Sequence, residues 1–356
     1  MGRCGGSWGR RAGPCRPPPA THSRLLPLDR TAPPSRTHDI VDTSKHRGGE
    51  VTVERSGGPR VLVDDECEMA YGAPRSRLRE HVLGYRGYRL ASDRARRRLE
   101  VPTDVVTLTI GFEGSLRLTD AVATADTASF GSVVAGMRRT ATIAEHSGRL
   151  HGLTVSLTPQ GAYRILGPAL GDLDGRWTEA TAVFPGRSGR EFTERLHDAP
   201  SWRARFALLD AHFDARFAAD RAWDPSAAWA WEQLRASHGR TSVRALVDGT
   251  GWSRRRLEQR FREHLGLAPK QAADILRLQH ALLSFERRPG WGGARIATHC
   301  GFYDQAHLTR SFRAVVGCSP SRFFASRRAA QVPEPTDRLA GRVTTAIEAV
   351  ERAPSD

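Results

Sequence analysis

Arg254, Arg255 and Arg256 stand in a row, and Glu258, Gln259 and Arg262 follow them at helical spacing. These side chains suit the edges and the backbone of a nucleic acid. A guanidinium can donate twice to guanine O6 and N7, a glutamine amide pairs both ways with adenine, and a carboxylate accepts from cytosine N4. Guanidiniums flanking such a row, here Arg254, Arg256 and Arg262, are better suited to phosphates. A second, lighter set follows further along the chain: Gln305, Ala306, Thr309 and Arg310, with Arg313 beyond it. Ala306 is too short to hydrogen-bond but could touch a thymine methyl.

Each set needs a helix whose opposite face is buried. Leu257 and Phe261 recur at i and i+4, and so do Leu308 and Phe312, which puts each pair on one helical face. Ser253 and Asp304 stand where N-caps belong, with side-chain oxygens for the free amides of the first turn. Just before them, Gly251-Trp252 and Gly301-Phe302 join an apolar anchor to a glycine that can take a positive φ. Each unit closes on the same pattern, Gly266-x-x-Pro269 and Gly317-x-x-Pro320. The preceding helices carry Leu246 in one unit and Ile296-Ala297 in the other. The two stretches are therefore an internal repeat of helix, tight turn and helix. Between them, Lys270 to about Glu286 reads as one amphipathic helix with Ile275, Leu278, Leu282 and Phe285 on a face. It spans about 25 Å, so with the flanking helices it could hold two reading helices near one DNA turn, ~34 Å, apart. An earlier helix, from Pro225 to about His238, has Trp229, Trp231 and Leu234 for its core face.

Ala294–Phe324 closely resembles the second helix-turn-helix of the arabinose-operon regulator (AraC/XylS) family of bacterial transcription factors. The matching residues are Ile296-Ala297, Gly301-Phe302, Asp304-Gln305, His307-Leu308, Arg310, Phe312-Arg313, Gly317 and Ser319-Pro320, and the resemblance extends over roughly Ser226 to Arg328. It implies a sequence-specific regulator that reads successive major-groove segments of double-stranded DNA. The family's base-facing positions correspond to Arg255, Glu258 and Gln259. RNA polymerase is implied as a further partner. Gly84 to about Arg216 resembles the cupin-like sensor domains of part of that family through Gly84-Tyr85-Arg86, Leu157-Thr158-Pro159, Gly161-Ala162 and Leu166-Gly167. Such domains imply a small-molecule effector or a homodimer.

The alternative is a cupin-like enzyme or metal-binding domain fused to a DNA-binding module. Glu145, His146 and His151 are the residues that would carry it. They lie close together beside an expected strand; the histidines are five positions apart, so alternation in one strand would place them on opposite faces, which argues against a shared metal. No nucleophile elbow, phosphate-binding glycine loop or paired-carboxylate site is visible. No enzyme activity, cofactor or metal is expected.

The chain has 356 residues, enough for two ordinary domains with tails. Its formal net charge is +15, and the location of that charge is informative. Residues 201–330 hold 22 basic and 11 acidic residues, net +11, against +2 for 1–70, +4 for 71–200 and −2 for the last 26. The excess sits on the segment that carries the repeat and favours a polyanion through phosphate contacts and counterion release. Cys4, Cys15, Cys67, Cys300 and Cys318 are scattered without a C-x-x-C pair, which argues against a disulfide framework or a zinc site. No apolar run approaches the ~18–20 residues of a membrane span. Arg10-Arg11 precedes proline-rich polar sequence rather than an apolar region, so a cytoplasmic, nucleoid-associated protein is expected.

The expected organisation is an α+β multidomain chain. Residues 1–70 read as a disordered, proline-rich tail, or as sequence ahead of a start at Met69. Residues 71–222 read as a mainly β sensor or dimerisation domain, a small barrel or sandwich followed by helices. Its strands are expected at Val105–Ile110, Ser115–Thr119 after a hairpin turn at Glu113-Gly114, Ser132–Ala135, Thr140–Ile143 and Leu153–Leu157. Helices follow over Gly189–Ala222, divided at Pro200. Residues 223–328 form the all-α domain with its tandem helix-turn-helix units, and 329–356 a C-terminal tail.

Overall fold

Strands in the first part of the chain and helices in the second meet in a shared apolar core. The computed structural model describes residues 58–63, 65–167, 169–173, 175–180, 186–218, 223–329 and 342–348. All of them lie within the compact unit Gly48–Asp356.

The strands are β1 (Arg60–Val63), β2 (Cys67–Gly72), β3 (Val82–Ala91), β4 (Arg96–Glu100), β5 (Val106–Glu113), β6 (Leu116–Asp120), β7 (Thr127–Phe130), β8 (Val133–Ala135), β9 (Thr142–His146), β10 (Arg149–Leu157), β11 (Trp177–Glu179) and β12 (Thr345–Glu348). They form a seven-stranded sheet, ordered β1-β2-β3-β10-β5-β8-β11, and a five-stranded one, ordered β12-β4-β9-β6-β7. Period-two alternation explains how the first sheet is covered on both faces. Leu108, Ile110, Leu153, Val155 and Leu157 join the cluster that includes the helices. Tyr88, Val133 and Leu150 instead meet Leu116, Leu118, Phe130 and Ala144 of the second sheet.

After β10, Thr158 accepts the Gly161 amide at 3.0 Å and Pro159 takes the first helical position, so α1 (Pro159–Leu166) starts at once. Then come α2 (Ala169–Asp172), α3 (Gly186–Asp198) and α4 (Trp202–Ala218). Trp202 and Phe206 of α4 lie over Gly87 and Gly72, where any Cβ would collide with their rings. The second part is α5 (Pro225–Ala236), α6 (Val243–Thr250), α7 (Arg254–Leu265), α8 (Pro269–Arg287), α9 (Gly293–His299), α10 (Gln305–Val316) and α11 (Pro320–Ala329). Among the described residues no helix is long and apolar enough to cross a membrane.

The two parts share their cores. One cluster runs from Leu108 and Leu153 through Ile165 and Phe213 to Leu246, Leu257, Phe261 and Ile275. Another joins Leu99, Val101 and Ala141 of the β part to Leu278, Leu282, Phe312, Val316, Phe323 and Val343.

Several expectations change. The disordered tail of 1–70 does not reach 70, because β1 and β2 pair over Arg60↔Tyr71 to Val63↔Glu68 and β2 also pairs with β3; the rest of that expectation lies outside the described residues. Met69 stands inside β2 opposite Leu62 and Tyr88, so a chain starting there would lack β1. The tail expected at 329–356 contains β12, paired with β4. These strands are too short to show a period of their own, and β12 gains its hydrogen bonds from residues far away in sequence. Glu113-Gly114 is not a hairpin turn: Gly114, at φ +79, passes the chain from the seven-stranded sheet to the five-stranded one. His146 and His151 do not share a strand. They end β9 and begin β10, in different sheets. Trp229, expected in the core of its helix, is 40% exposed.

Candidate nucleic-acid interface

In the first unit, Ser242 caps α6 by accepting the Ala245 amide at 3.1 Å. Gly251 ends α6 at φ +67, a conformation costly for other residues. Ser253 then accepts the Arg256 amide and starts α7. Leu257 and Phe261 are buried, as the i, i+4 stripe requires. On the other side of α7, Arg254, Arg255, Arg256, Gln259 and Arg262 are exposed and Glu258 is half-buried. Several of these groups are engaged along the helix. Arg254 Nε donates to Glu258 Oε1 at 3.0 Å, Arg262 Nη2 stands 3.9 Å from the other Glu258 oxygen, and Gln259 Nε2 donates to Glu263 Oε1 at 2.9 Å. The Arg256 guanidinium lies 5.2 Å from the centre of the Trp252 ring. Arg255 alone among these six has no hydrogen bond, ion pair or ring contact among the described residues.

The second unit repeats the device. Gly301 takes φ +78, Phe302 is buried, and Asp304 Oδ1 accepts the His307 amide at 2.6 Å. His307 contacts backbone, since its Nδ1 accepts the Tyr303 amide at 3.2 Å. Leu308 joins Ile296, Ala297, Cys300 and Phe302, whereas Phe312, one turn on along the same face, lies in the cluster shared with the β part. Gly317, at φ +81, ends α10, and Ser319 accepts the Arg322 amide at 3.3 Å ahead of α11, which begins at Pro320. Gln305, Ala306, Arg310 and Arg313 are exposed and Thr309 is half-buried. Gln305 lays its amide over Gly293, where a Cβ would come within 2.9 Å of Gln305 Cδ.

Tyr303 was missed by sequence reasoning. It is 91% exposed at the N-terminal end of α10. The register that buries Phe302 and Leu308 leaves no core position for it, and that signal could have found it. A cationic cluster between the units was missed as well. Arg288 and Arg295 each stack on Trp291 at 4.1 Å, and Arg288 Nη1 is 3.0 Å from His299 Nε2. His238 stacks on His280 with centroids 4.2 Å apart, and His280 meets His299 at 4.9 Å. His238 comes from the α5–α6 turn and His280 from α8, whereas Arg288, Trp291, Arg295 and His299 lie within twelve residues, so a local sequence window displays only part of it.

Burial, then the positive neighbours His238, His299, Arg240 and Arg288, hold His280 down to about 4. His151 and His212 are likewise held down to about 4, first by burial. The sign follows from linkage. The unfolded histidines bind a proton near ~6.5 and the folded ones resist it, so this stability is full above that value and is lost as the pH falls from there toward about 4. The urea midpoint is expected to be lower at about pH 5 than at about pH 7.5, and His280→Gln should reduce the difference. Equal midpoints would contradict this assignment.

Elsewhere, no group of three or more His, Cys, Asp or Glu that could hold a metal ion occurs among the described residues.

Residues 246–326 match the family described as "Helix-turn-helix domain". No curated protein matches the chain in sequence. Among solved structures the chain is similar to ToxT from Vibrio cholerae, at 10% identity and TM-score 0.37, covering 73% of this chain and 98% of that one. It is similar to unsaturated-fatty-acid-bound ToxT from the same organism, at 10% identity and TM-score 0.37, covering 73% and 95%. It is also similar to the AraC-like transcriptional activator CuxR, at 12% identity and TM-score 0.28, covering 57% and 79%. Likeness at these scores carries nothing further about this chain.

Proposed function

We propose that residues 246–326, which match a helix-turn-helix domain, are the DNA-binding domain of an AraC-type transcription regulator, and that α7 and α10 read two successive major-groove segments of one duplex. The observation that supports this most is the repeated geometry. In each unit a capped helix buries an i, i+4 stripe and turns a polar face outward. Arg255, Glu258 and Gln259 face base edges from α7, and Gln305, Ala306, Thr309 and Arg310 from α10. Arg254, Arg256, Arg262 and Arg313 hold phosphates. Glu258 keeps acceptor sites beyond the one Arg254 takes, so it accepts from cytosine N4 while still paired.

The two-sheet region with α1–α4 modulates this binding, as the receiver of a small effector, as the contact with a second copy, or as the part RNA polymerase touches. Selection of bound sites from a random duplex pool tests the central reading. The expected result is an enriched site with two separated segments. Equal affinity for all duplexes at fixed salt would make the protein a nonspecific binder and overturn it.

A further inference from the structure

Gln279 lies in the middle of α8, the helix that joins the two units, and is 5% exposed. Its amide is fully engaged. Nε2 donates to Pro102 O at 2.7 Å and to Val343 O at 2.9 Å, while Oε1 accepts the Val343 amide at 3.1 Å. Both donors are used, and so is one acceptor site. Pro102 belongs to the loop between β4 and β5. Val343 comes from the chain beyond α11.

The residues around Val343 extend the same connection. Arg342 pairs with Asp104 through two nitrogens, Nη2 donating to Oδ2 at 2.8 Å. Val101 N donates to Thr344 O at 2.9 Å. β12 then pairs with β4 from Thr345↔Glu100 to Glu348↔Arg97. Arg327 of α11 donates to Thr345 O and, at 2.6 Å, to Glu286 of α8. Arg342–Glu348 thus clasps a sheet edge, the connecting helix and the last helix together.

We propose that Gln279 is a positioning residue for DNA recognition: held by this clasp, it fixes α8 against the β4–β5 loop and so fixes the spacing at which α7 and α10 engage a duplex. The inference rests on the two-unit reading above. Each unit also docks on the first part of the chain separately. His264 of α7 packs on Tyr163 of α1, with centroids 4.4 Å apart, and a Cβ on Gly171 of α2 would stand 3.1 Å from Arg262 O. At the other unit, Ala141 N donates to Val315 O at 2.7 Å, and a Cβ on Gly317 would stand 2.9 Å from Ala121 O. Both units thus rest on the first part of the chain, and the contact at Gln279 sets where the helix between them sits against it. Arg255 and Arg310 stay exposed in this arrangement, so the clasp acts on spacing and not by covering the reading faces.

The test uses the full chain, Gln279→Met, which keeps volume but not hydrogen bonds, and a chain ending before Arg342. The probe is a duplex recovered from the random pool, with base pairs inserted between its two segments. The full chain should lose about tenfold or more in affinity off the preferred spacing. Gln279→Met should bind the preferred spacing more weakly and flatten the spacing profile, while keeping its base preferences within each segment. Equal loss at all spacings would show a merely structural role, and either that or an unchanged profile overturns the proposal. Hydrogen exchange on the free protein adds a readout without DNA: removing the clasp should speed exchange of β4 and mid-α8 amides, and unchanged exchange also overturns it. A one-segment site insensitive to Arg310→Ala removes the two-unit reading and the spacing role with it. A two-segment site with an unchanged spacing profile removes the spacing role alone.

Discussion

Phe312→Asp is expected to unfold the second helix-turn-helix unit and to loosen the five-stranded sheet beneath it. Phe312 is 0% exposed. Its cluster contains Leu99 of β4, Val101, Ala141 and Val343 as well as Leu278, Leu282 and Phe323. Removing the ring alone costs about 3–5 kcal/mol. A carboxylate in its place is a buried charge with no partner, which adds several kcal/mol or forces the helix out of the core. Together these approach the ~5–15 kcal/mol that holds an ordinary domain folded. Leu308→Asp makes the informative comparison. Leu308 is as buried, but it sits among Ile296, Ala297, Cys300 and Phe302, away from the sheet. It should loosen α9 and the first turn of α10, while Phe312 and Val316 keep the rest of α10 on the sheet and the β signal in place. Far-ultraviolet circular dichroism with thermal melting separates the two, and a Phe312→Asp protein that melts like the parent would refute the shared core.

The second large effect concerns recognition. Arg255→Ala should cost about 1–3 kcal/mol and relax base preference at one position of the selected site. Among the residues of α7's polar face it has no hydrogen-bond or ion-pair partner to lose, so folding should be untouched and the change should appear in binding alone. Arg313→Ala should weaken all sequences alike and lower the salt slope by about one. Binding titrations on single-base variants of the site decide it. A preference unchanged at every position would remove Arg255 from the base-reading set.

The helical half was legible because its information is local. Caps, glycine turns and i, i+4 stripes occupy windows shorter than fifteen residues, and Ser253, Asp304, Gly251, Gly301 and Gly317 all take the conformations their types favour. The β half was legible where a strand carries its own alternation or β-branched run, as in β5, β6, β8, β10 and the start of β9. β4 reads Arg-Arg-Arg-Leu-Glu and gives no such signal, because the covering groups, α10, α11 and β12, are remote in sequence. β3 was read for its glycines and not as a strand, although Gly87 is required by the Trp202 ring against it. The polar faces of α7 and α10 could be found by subtraction from the buried stripe. What subtraction could not reveal is that Glu258 and Gln259 are already engaged by neighbours on the same helix.

The pairing of β12 with β4 has a consequence for how the protein is made. β12 is translated after every other described element, yet it completes a sheet whose remaining strands lie between residues 96 and 146. On the ribosome, β4 therefore waits with an open edge while all the helices emerge, and an open edge is a template for pairing with other chains. Arg96, Arg97 and Arg98 put positive charge on that strand, which makes pairing with a copy of itself less favourable, although Glu145 and Glu100 offset part of it.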